Sequence, residues 1–221
     1  MIQKNKFFFY IFLFIIFSTY SFDTQKKNFS IFPIKQIVIE NTIAVDLTNL
    51  NTQLEFLRNT SLFFLEKKKI LKVIDGYDFI SNIQLRKKYP STIKIFISEY
   101  TPVAIEVNAQ TRYYLTKEGK KIKFIKLKPF ENLPLIFGNS KNFKSFFNNL
   151  EKNNFRINTI KGFYYFDVGR WDIALKDGRI IKLPAKDYQK IIVKINSILN
   201  DSNFSKYEVF DYRIKNQLIL Q

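Results

Sequence analysis

The most restrictive feature of the sequence is a short alternating run between two prolines, YPSTIKIFISEYTP. Isoleucines recur at every second position from Ile93 to Ile97, the period that places side chains on one face of a β-strand. Proline has no backbone N–H to give to a sheet, so Pro90 predicts a turn and Pro102 predicts the end of pairing. The run therefore predicts one strand of a small sheet.

This strand ends at an acid that local propensity does not explain. Glu99 is either a solvated strand end or an ion-pair partner for Arg86 or Lys88 across the hairpin. An exposed pair of this kind contributes little to stability. The sequence alone leaves these two alternatives open.

The preceding residues complete a β-α-α-β-β order. Residues 34–41 alternate as a strand, and leucines from Leu47 to Leu57 have helical spacing after Asp46, a residue type that caps helices. Residues 65–76 predict a second helix, and residues 79–90 predict a basic strand that pairs with the alternating run. A three-stranded sheet with both helices on one face buries both apolar sets.

The second half of the chain predicts a different α+β unit. GRWDIALKDGRIIKLP has the pattern of a hairpin with a two-residue turn at Asp177-Gly178. Residues 141–153 and 185–201 predict two amphipathic helices, and the C-terminal residues are strand-like with a break around Lys215-Asn216. The predicted architecture is a mixed sheet with two helices. Trp171, the one tryptophan, is either a core or rim anchor or a contact for a partner.

The N-terminus carries an uncharged apolar segment, residues 7–22. Its 16 residues are short against the roughly 20 that span a bilayer. A cleaved signal peptide would fit the small residues Thr19 and Ser21, whereas an uncleaved transmembrane helix would leave residues 1–6 as a cytoplasmic tail. Lysines flank the segment on both sides, so charge does not fix its orientation. We expect an anchor, followed by a linker at residues 23–32.

Composition excludes many kinds of chemistry. The chain has no cysteine and no histidine, which removes disulfides, histidine-dependent triads and most transition-metal sites. Its acids are scattered without a partnering base or nucleophile, so no enzymatic activity, cofactor or small-molecule substrate is predicted. The formal charge of +17 is spread along the chain, which is typical of compositional bias, although a functional basic surface remains an alternative.

The alternating run resembles the POTRA domain of the FtsQ/DivIB family of bacterial cell-division proteins. That family shows a basic strand, an aromatic-proline turn, an alternating strand and then Glu-x-x-Pro. The matching residues here are Arg86, Tyr89, Pro90, Glu99 and Pro102.

Further matches follow in order along the chain. They comprise a Leu-Pro-x-x-x-Gly segment, an Arg-Trp hairpin and a closing Asp-x-Arg, and the residues are Gly138, Trp171, Asp177, Gly178, Pro184, Asp211 and Arg213. The resemblance implies a POTRA-like domain at residues 33–101 and an FtsQ-type β domain at residues 102–221.

The resemblance implies a divisome scaffold in the inner membrane, with its bulk in the periplasm at the septum. The expected partners are FtsB/FtsL-type bitopic proteins, which add a strand to the last strand of the distal sheet. By motif position this edge strand comprises Ile214, Lys215, Asn216, Gln217, Leu218 and Ile219. The basic strand residues Arg86, Lys87 and Lys88 are expected to face the membrane.

Two other functions stay open at this point. An exported basic protein would bind nucleic acid or anionic glycans with a steep salt dependence. A POTRA-bearing outer-membrane assembly factor would need a barrel, and residues 103–221 are too few and too helical for one.

Overall fold

The computed structural model describes residues 2–18 and 31–221, with the side chains of the first segment described from residue 7. The first segment is one helix, α1 (Ile2–Ser18), and its side chains from residue 7 onward are exposed. No helix among the described residues combines the length and apolarity that crossing a membrane requires. Thr19 and Ser21, the end of the expected anchor and most of the expected linker lie outside the described residues.

The first sheet confirms the predicted β-α-α-β-β order. Its three strands have the spatial order β1-β3-β2, with β1 parallel and β2 antiparallel to the central strand. The elements, in chain order, are β1 (Gln36–Glu40), α2 (Leu47–Leu54), α3 (Lys67–Ile74), β2 (Ile80–Lys88) and β3 (Thr92–Glu99).

Burial follows the sequence pattern closely in this unit. Ile93, Ile95 and Ile97 of β3 are buried, and they share one core with buried leucines of α2. Asp46 caps α2 as predicted, because its carboxylate accepts the backbone N–H of Thr48. The two apolar faces therefore cover each other, as the layer argument requires.

Both open interpretations of Glu99 are wrong. Its carboxylate accepts the backbone N–H groups of Ile43, Ala44 and Val45 at 2.9–3.1 Å, in the loop before α2. The acid at the end of β3 therefore holds the loop that leads into the helix layer. Pro102 also differs from prediction, because it begins the next strand instead of ending the pairing.

The second sheet has nine strands in the order β12-β11-β10-β9-β8-β7-β4-β5-β6 and mixes parallel with antiparallel pairs. Two helices accompany it, α4 (Phe143–Lys152) and α5 (Tyr188–Leu199). The strands are β4 (Pro102–Val107), β5 (Arg112–Thr116), β6 (Lys121–Lys123), β7 (Leu135–Phe137), β8 (Ile160–Phe166), β9 (Arg170–Leu175), β10 (Ile180–Lys182), β11 (Val209–Asp211) and β12 (Ile219–Leu220).

The core of this sheet is aromatic. Trp171 is 2% exposed and stacks on Phe146 of α4, with ring centroids 4.9 Å apart. Phe163 meets both of these rings edge to face, and Phe143 meets Trp171 and Phe163 in the same way. Trp171 is thus a core residue, and the partner contact considered for it is not available to a buried ring.

The predicted hairpin of β9 and β10 exists, but its turn is longer than two residues. Leu175 pairs with Arg179 through its N–H, and Gly178 donates back to Leu175, so three residues form the loop. Gly178 has φ +97°, the left-handed conformation that closes such three-residue loops. The Asp177-Gly178 pair alone did not show whether the loop has two residues or three.

The two sheets meet through an aromatic junction. Phe79, before β2, lies 5.8 Å from the ring of Tyr114 in β5 and stacks on Phe130. Lys120 donates to the carbonyl of Asp78 and lies 4.1 Å above the ring of Tyr100. These contacts fix the distal sheet against the end of the first unit.

Candidate functional site

The C-terminal residues form one open edge of the nine-stranded sheet. β12 folds back antiparallel onto β11, and no strand of the described chain lies beyond it. Val209 and Gln221 exchange both backbone hydrogen bonds, at 3.0 and 3.1 Å. Because pairing alternates along an antiparallel ladder, the N–H and C=O of Leu220 point away from β11. The edge therefore presents a free donor and acceptor at Leu220.

The residues expected to form this edge strand are mostly not in a strand. Of the segment from Ile214 to Ile219, only Ile219 belongs to β12. Gln217 donates to the carbonyl of Ile214, and Asn216 has φ +61°, so this part of the segment is a turn. Asparagine tolerates that conformation better than most residues do. The predicted break at Lys215-Asn216 is confirmed, but the chain reverses there and the edge lies further on.

A groove of about 620 Å³ runs beside this edge, between α5 and the turn. Its apolar lining includes Ile191, Ile198, Tyr212 and Leu218, which are buried or half-buried, and Ile214, which is exposed. Its charged lining is exposed and consists of Asp187 and five basic residues, Lys186, Lys190, Lys194, Arg213 and Lys215. The groove is therefore apolar inside and strongly basic outside.

Tyr212, which lines the groove, carries a buried polar group. The side chain is 7% exposed, and its hydroxyl has no hydrogen-bond partner within the described part of the chain. Burial raises the pKa of this hydroxyl, so it stays protonated and can donate. A buried donor without an acceptor is costly to stability.

A row of charged residues crosses the sheet next to the edge. Asp172, Lys182 and Asp211 are in register on β9, β10 and β11. Arg213 donates to Asp211 from its backbone N–H and from its guanidinium at 2.6–3.0 Å. These hydrogen bonds hold the pKa of Asp211 below its usual range, whereas burial raises the pKa of Asp172 although Arg170 opposes this. The row fixes the chain at the point where it leaves β11.

Two known protein families match this chain, one in the region of the first sheet and one in the region of the second sheet. Residues 32–100 match the family model of the FtsQ-type POTRA domain, and residues 104–213 match that of the C-terminal domain of the cell division protein FtsQ/DivIB. The chain belongs to the FtsQ/DivIB family. These two matches follow each other in the order that the family shows.

Relatives in the family cover most of the chain. The cell division protein FtsQ of Rickettsia bellii (strain RML369-C) is 29% identical over 196 residues, which are 86% of this chain and 72% of the relative. FtsQ of Rickettsia typhi (strain ATCC VR-144 / Wilmington) is 26% identical over 195 residues, 86% of this chain and 73% of the relative. FtsQ of Rhizobium meliloti (strain 1021) is 23% identical over 171 residues, 76% and 55% of the two chains.

The FtsQ/DivIB motif residues mostly occupy structural positions. Tyr89 and Pro90 form the β2–β3 turn, and Gly138 ends β7 with φ +91°. Asp211 and Arg213 belong to the charged row, and Pro184 follows β10 and lines the groove. Three motif residues, Pro184, Asp211 and Arg213, therefore lie beside the edge strand. Leu220 is not a motif residue.

The basic strand residues of this FtsQ/DivIB chain do not share one face. Lys87 points toward the helix layer, where its ammonium donates to the carbonyl of Phe63 at 3.0 Å. Arg86 faces the other side of the sheet, with its guanidinium 5.0 Å from the Phe96 ring. Because side chains alternate along a strand, only part of the expected basic set can meet a single surface.

Sequence reasoning missed Leu220 and the α5 side of the groove. Leu220 follows the turn at Asn216 in an apolar Leu-Ile-Leu run, and that run after a turn signal could have indicated a returning strand. The lysines of α5 lie on its polar stripe, and nothing in their spacing distinguishes a groove wall from a solvated face.

The charged row gives a pH-dependent stability. Because the pKa of Asp211 is lowered in the folded state, its contribution is present above the ordinary carboxyl pKa of about 3.9 and is lost as pH falls through the lowered value. Asp211→Asn is therefore expected to be less stable than wild type at neutral pH. The difference in free energy of unfolding should shrink below about pH 4. Urea titrations followed by Trp171 fluorescence measure it, and a difference that stays constant with pH would contradict this account.

Proposed function

We propose that this chain is a non-enzymatic scaffold of the division machinery that captures a partner strand on β12. The observation that carries the proposal is the open backbone of Leu220 at the sheet edge. Edge strands with free donors and acceptors are templates for an added strand. Membership of a family of cell-division proteins supports a role at the septum.

The groove beside β12 suggests the chemistry of the partner. An apolar interior selects apolar side chains, and four lysines against Asp187 favour an acidic segment, since Arg213 is already paired with Asp211. An FtsB/FtsL-type pair, the partner that the family resemblance implies, would have to bring an acidic, apolar stretch for the groove and an extended stretch for β12.

We also propose a division of labour along the chain. Residues 7–22 would anchor it in the inner membrane with residues 1–6 in the cytoplasm, and α1 supports this because its apolar side chains face outward. Residues 33–101 would then stand near the membrane, and residues 102–221 would carry the partner site in the periplasm. The N-terminal lysines and the apolar run, on this proposal, belong to an uncleaved anchor.

Capture of an FtsB/FtsL-type pair from the same organism by the full-length chain tests the proposal. Leu220→Pro removes the outward N–H without removing a hydrogen bond to β11. Leu220→Ala is the matched control, because it keeps that N–H and loses the partly buried side chain. Losing one such hydrogen bond should weaken capture about tenfold.

The expected result is capture by wild type and by Leu220→Ala, with weak or no capture by Leu220→Pro. Circular dichroism should show all three chains equally folded. Equal capture by the proline variant would show that the partner does not bind by main-chain pairing with Leu220 of β12. No capture by wild type would count against this partner, and binding to an anionic polymer instead would favour the rival basic binding protein.

A further inference from the structure

The first unit carries a group of exposed aromatic side chains at the end where the chain enters it. Phe32 and Tyr89 lie 5.1 Å apart between ring centroids, and Phe63 and Phe64 lie 5.0 Å apart. All four are exposed by 44–68%. We call them the aromatic patch.

Backbone contacts join the two halves of the aromatic patch. The N–H of Leu62 donates to the carbonyl of Phe32 at 2.9 Å, which places the α2–α3 loop beside the entering chain. Lys87, two residues before Tyr89, donates to the carbonyl of Phe63. The segments that carry the two ring pairs are therefore held next to each other by the fold.

Basic residues surround the aromatic patch. Lys67, Lys68 and Lys69 begin α3 directly after the loop that carries Phe63 and Phe64, and all three are exposed. Lys87 lies on the strand that leads to Tyr89 and is exposed as well, whereas Lys88 alternates onto the face of Arg86. Glu66, the residue just before α3, is paired with Lys69 at 3.4 Å. Exposed aromatics ringed by lysines match the composition of surfaces that bind an anionic bilayer interface.

The position of the aromatic patch in the chain favours a membrane over a protein partner. The described residues of the first unit begin at Ile31, whose carbonyl accepts the hydroxyl of Ser61 in the same loop. Twelve residues separate Ile31 from the end of the apolar helix α1. Thirteen steps of no more than about 3.6 Å lead from Ser18 to Ile31, so this connection keeps the start of the first unit within roughly 47 Å of the helix end.

We propose that the aromatic patch docks on an anionic phospholipid surface. The rings would enter the headgroup region, and the surrounding lysines would reach lipid phosphates, each adding attraction that falls with salt. Arg86, on the opposite face over Phe96, takes no part. The docking rests on the proposed membrane anchor, and it would fix the orientation of the first unit on the bilayer.

The absence of native cysteine allows a direct test in the full-length chain. Phe64→Cys, labelled with an environment-sensitive fluorophore, is reconstituted in nanodiscs that contain spin-labelled lipid, with and without anionic lipid. Val168→Cys is the control, since Val168 is 72% exposed in the β8–β9 loop of the distal sheet. We expect strong quenching at position 64 in anionic discs and little at position 168.

The lysines provide the second variant. Replacing Lys67, Lys68 and Lys69 with glutamine should lower the equilibrium constant for docking by up to about a hundredfold, since each lysine near the surface contributes roughly fivefold. Quenching at position 64 no greater than at position 168 would overturn the proposal. Quenching that neither lipid charge nor the lysines affect would overturn its electrostatic part. Partner capture is a separate readout, so failure of the scaffold function would leave the quenching result unchanged.

Discussion

Replacing Gly138 with alanine is expected to destabilise the distal sheet by about 3 kcal/mol or more. Gly138 has φ +91°, a conformation that costs an L-residue roughly 1–2 kcal/mol. A Cβ at this position would also overlap the backbone carbonyl oxygen of Tyr165 in β8. The neighbour is main chain in a paired strand, so it has little freedom to move, and overpacking adds to the conformational cost.

Gly169 provides the matched control. It has φ +84°, but a Cβ there meets nothing within 4 Å, so Gly169→Ala should lose only about 1 kcal/mol. Denaturant unfolding followed by tryptophan fluorescence separates the two, because the single tryptophan, Trp171, is buried in this sheet. Equal losses of stability in the two variants would contradict this account. They would show that the cost comes from the backbone conformation alone and that Tyr165 moves to accommodate the added Cβ.

Replacing Glu99 with glutamine is expected to destabilise the first unit by about 2–3 kcal/mol. Its two carboxylate oxygens accept three backbone N–H groups, from Ile43, Ala44 and Val45. An amide offers one acceptor oxygen and turns a donor toward the same loop. Ala44 and Val45 are buried, so the N–H groups left without an acceptor cannot turn to water.

Glu40 is the control for this substitution. It also ends a strand of the first sheet, but it pairs with Lys94 at a half-exposed site. Glu40→Gln should therefore cost less than about 1 kcal/mol. Thermal unfolding measures both variants, and amide exchange at residues 43–45 should accelerate only in Glu99→Gln. Unchanged exchange at those amides would contradict the role assigned to Glu99.

Local patterns predicted the elements well because they encode burial directly. The alternation from Ile93 to Ile97 and the Asp46 cap each depend on residues close in sequence. Glu99 could not be interpreted in this way, since its partners lie 54–56 residues earlier in the chain. The same limit applies to Arg86 and Lys87, whose different environments arise from packing across the sheet.

The candidate site shows the limit most clearly. The turn signal at Lys215-Asn216 was visible in the sequence, but the direction of the chain after it was not. A strand of two residues has too little alternation to be recognised by period, and its place at the edge depends on pairing with β11. The groove beside it arises from α5, which is joined to the edge only by the tertiary fold.

Residue-resolved amide exchange at the C-terminus tests the central claim most directly. In the free chain the Leu220 amide should exchange quickly, because it faces away from β11, while the Gln221 amide is protected by Val209. On binding an FtsB/FtsL-type pair, the Leu220 amide should become protected, as main-chain pairing requires. A complex in which Leu220 exchanges as fast as in the free chain would contradict strand addition at β12.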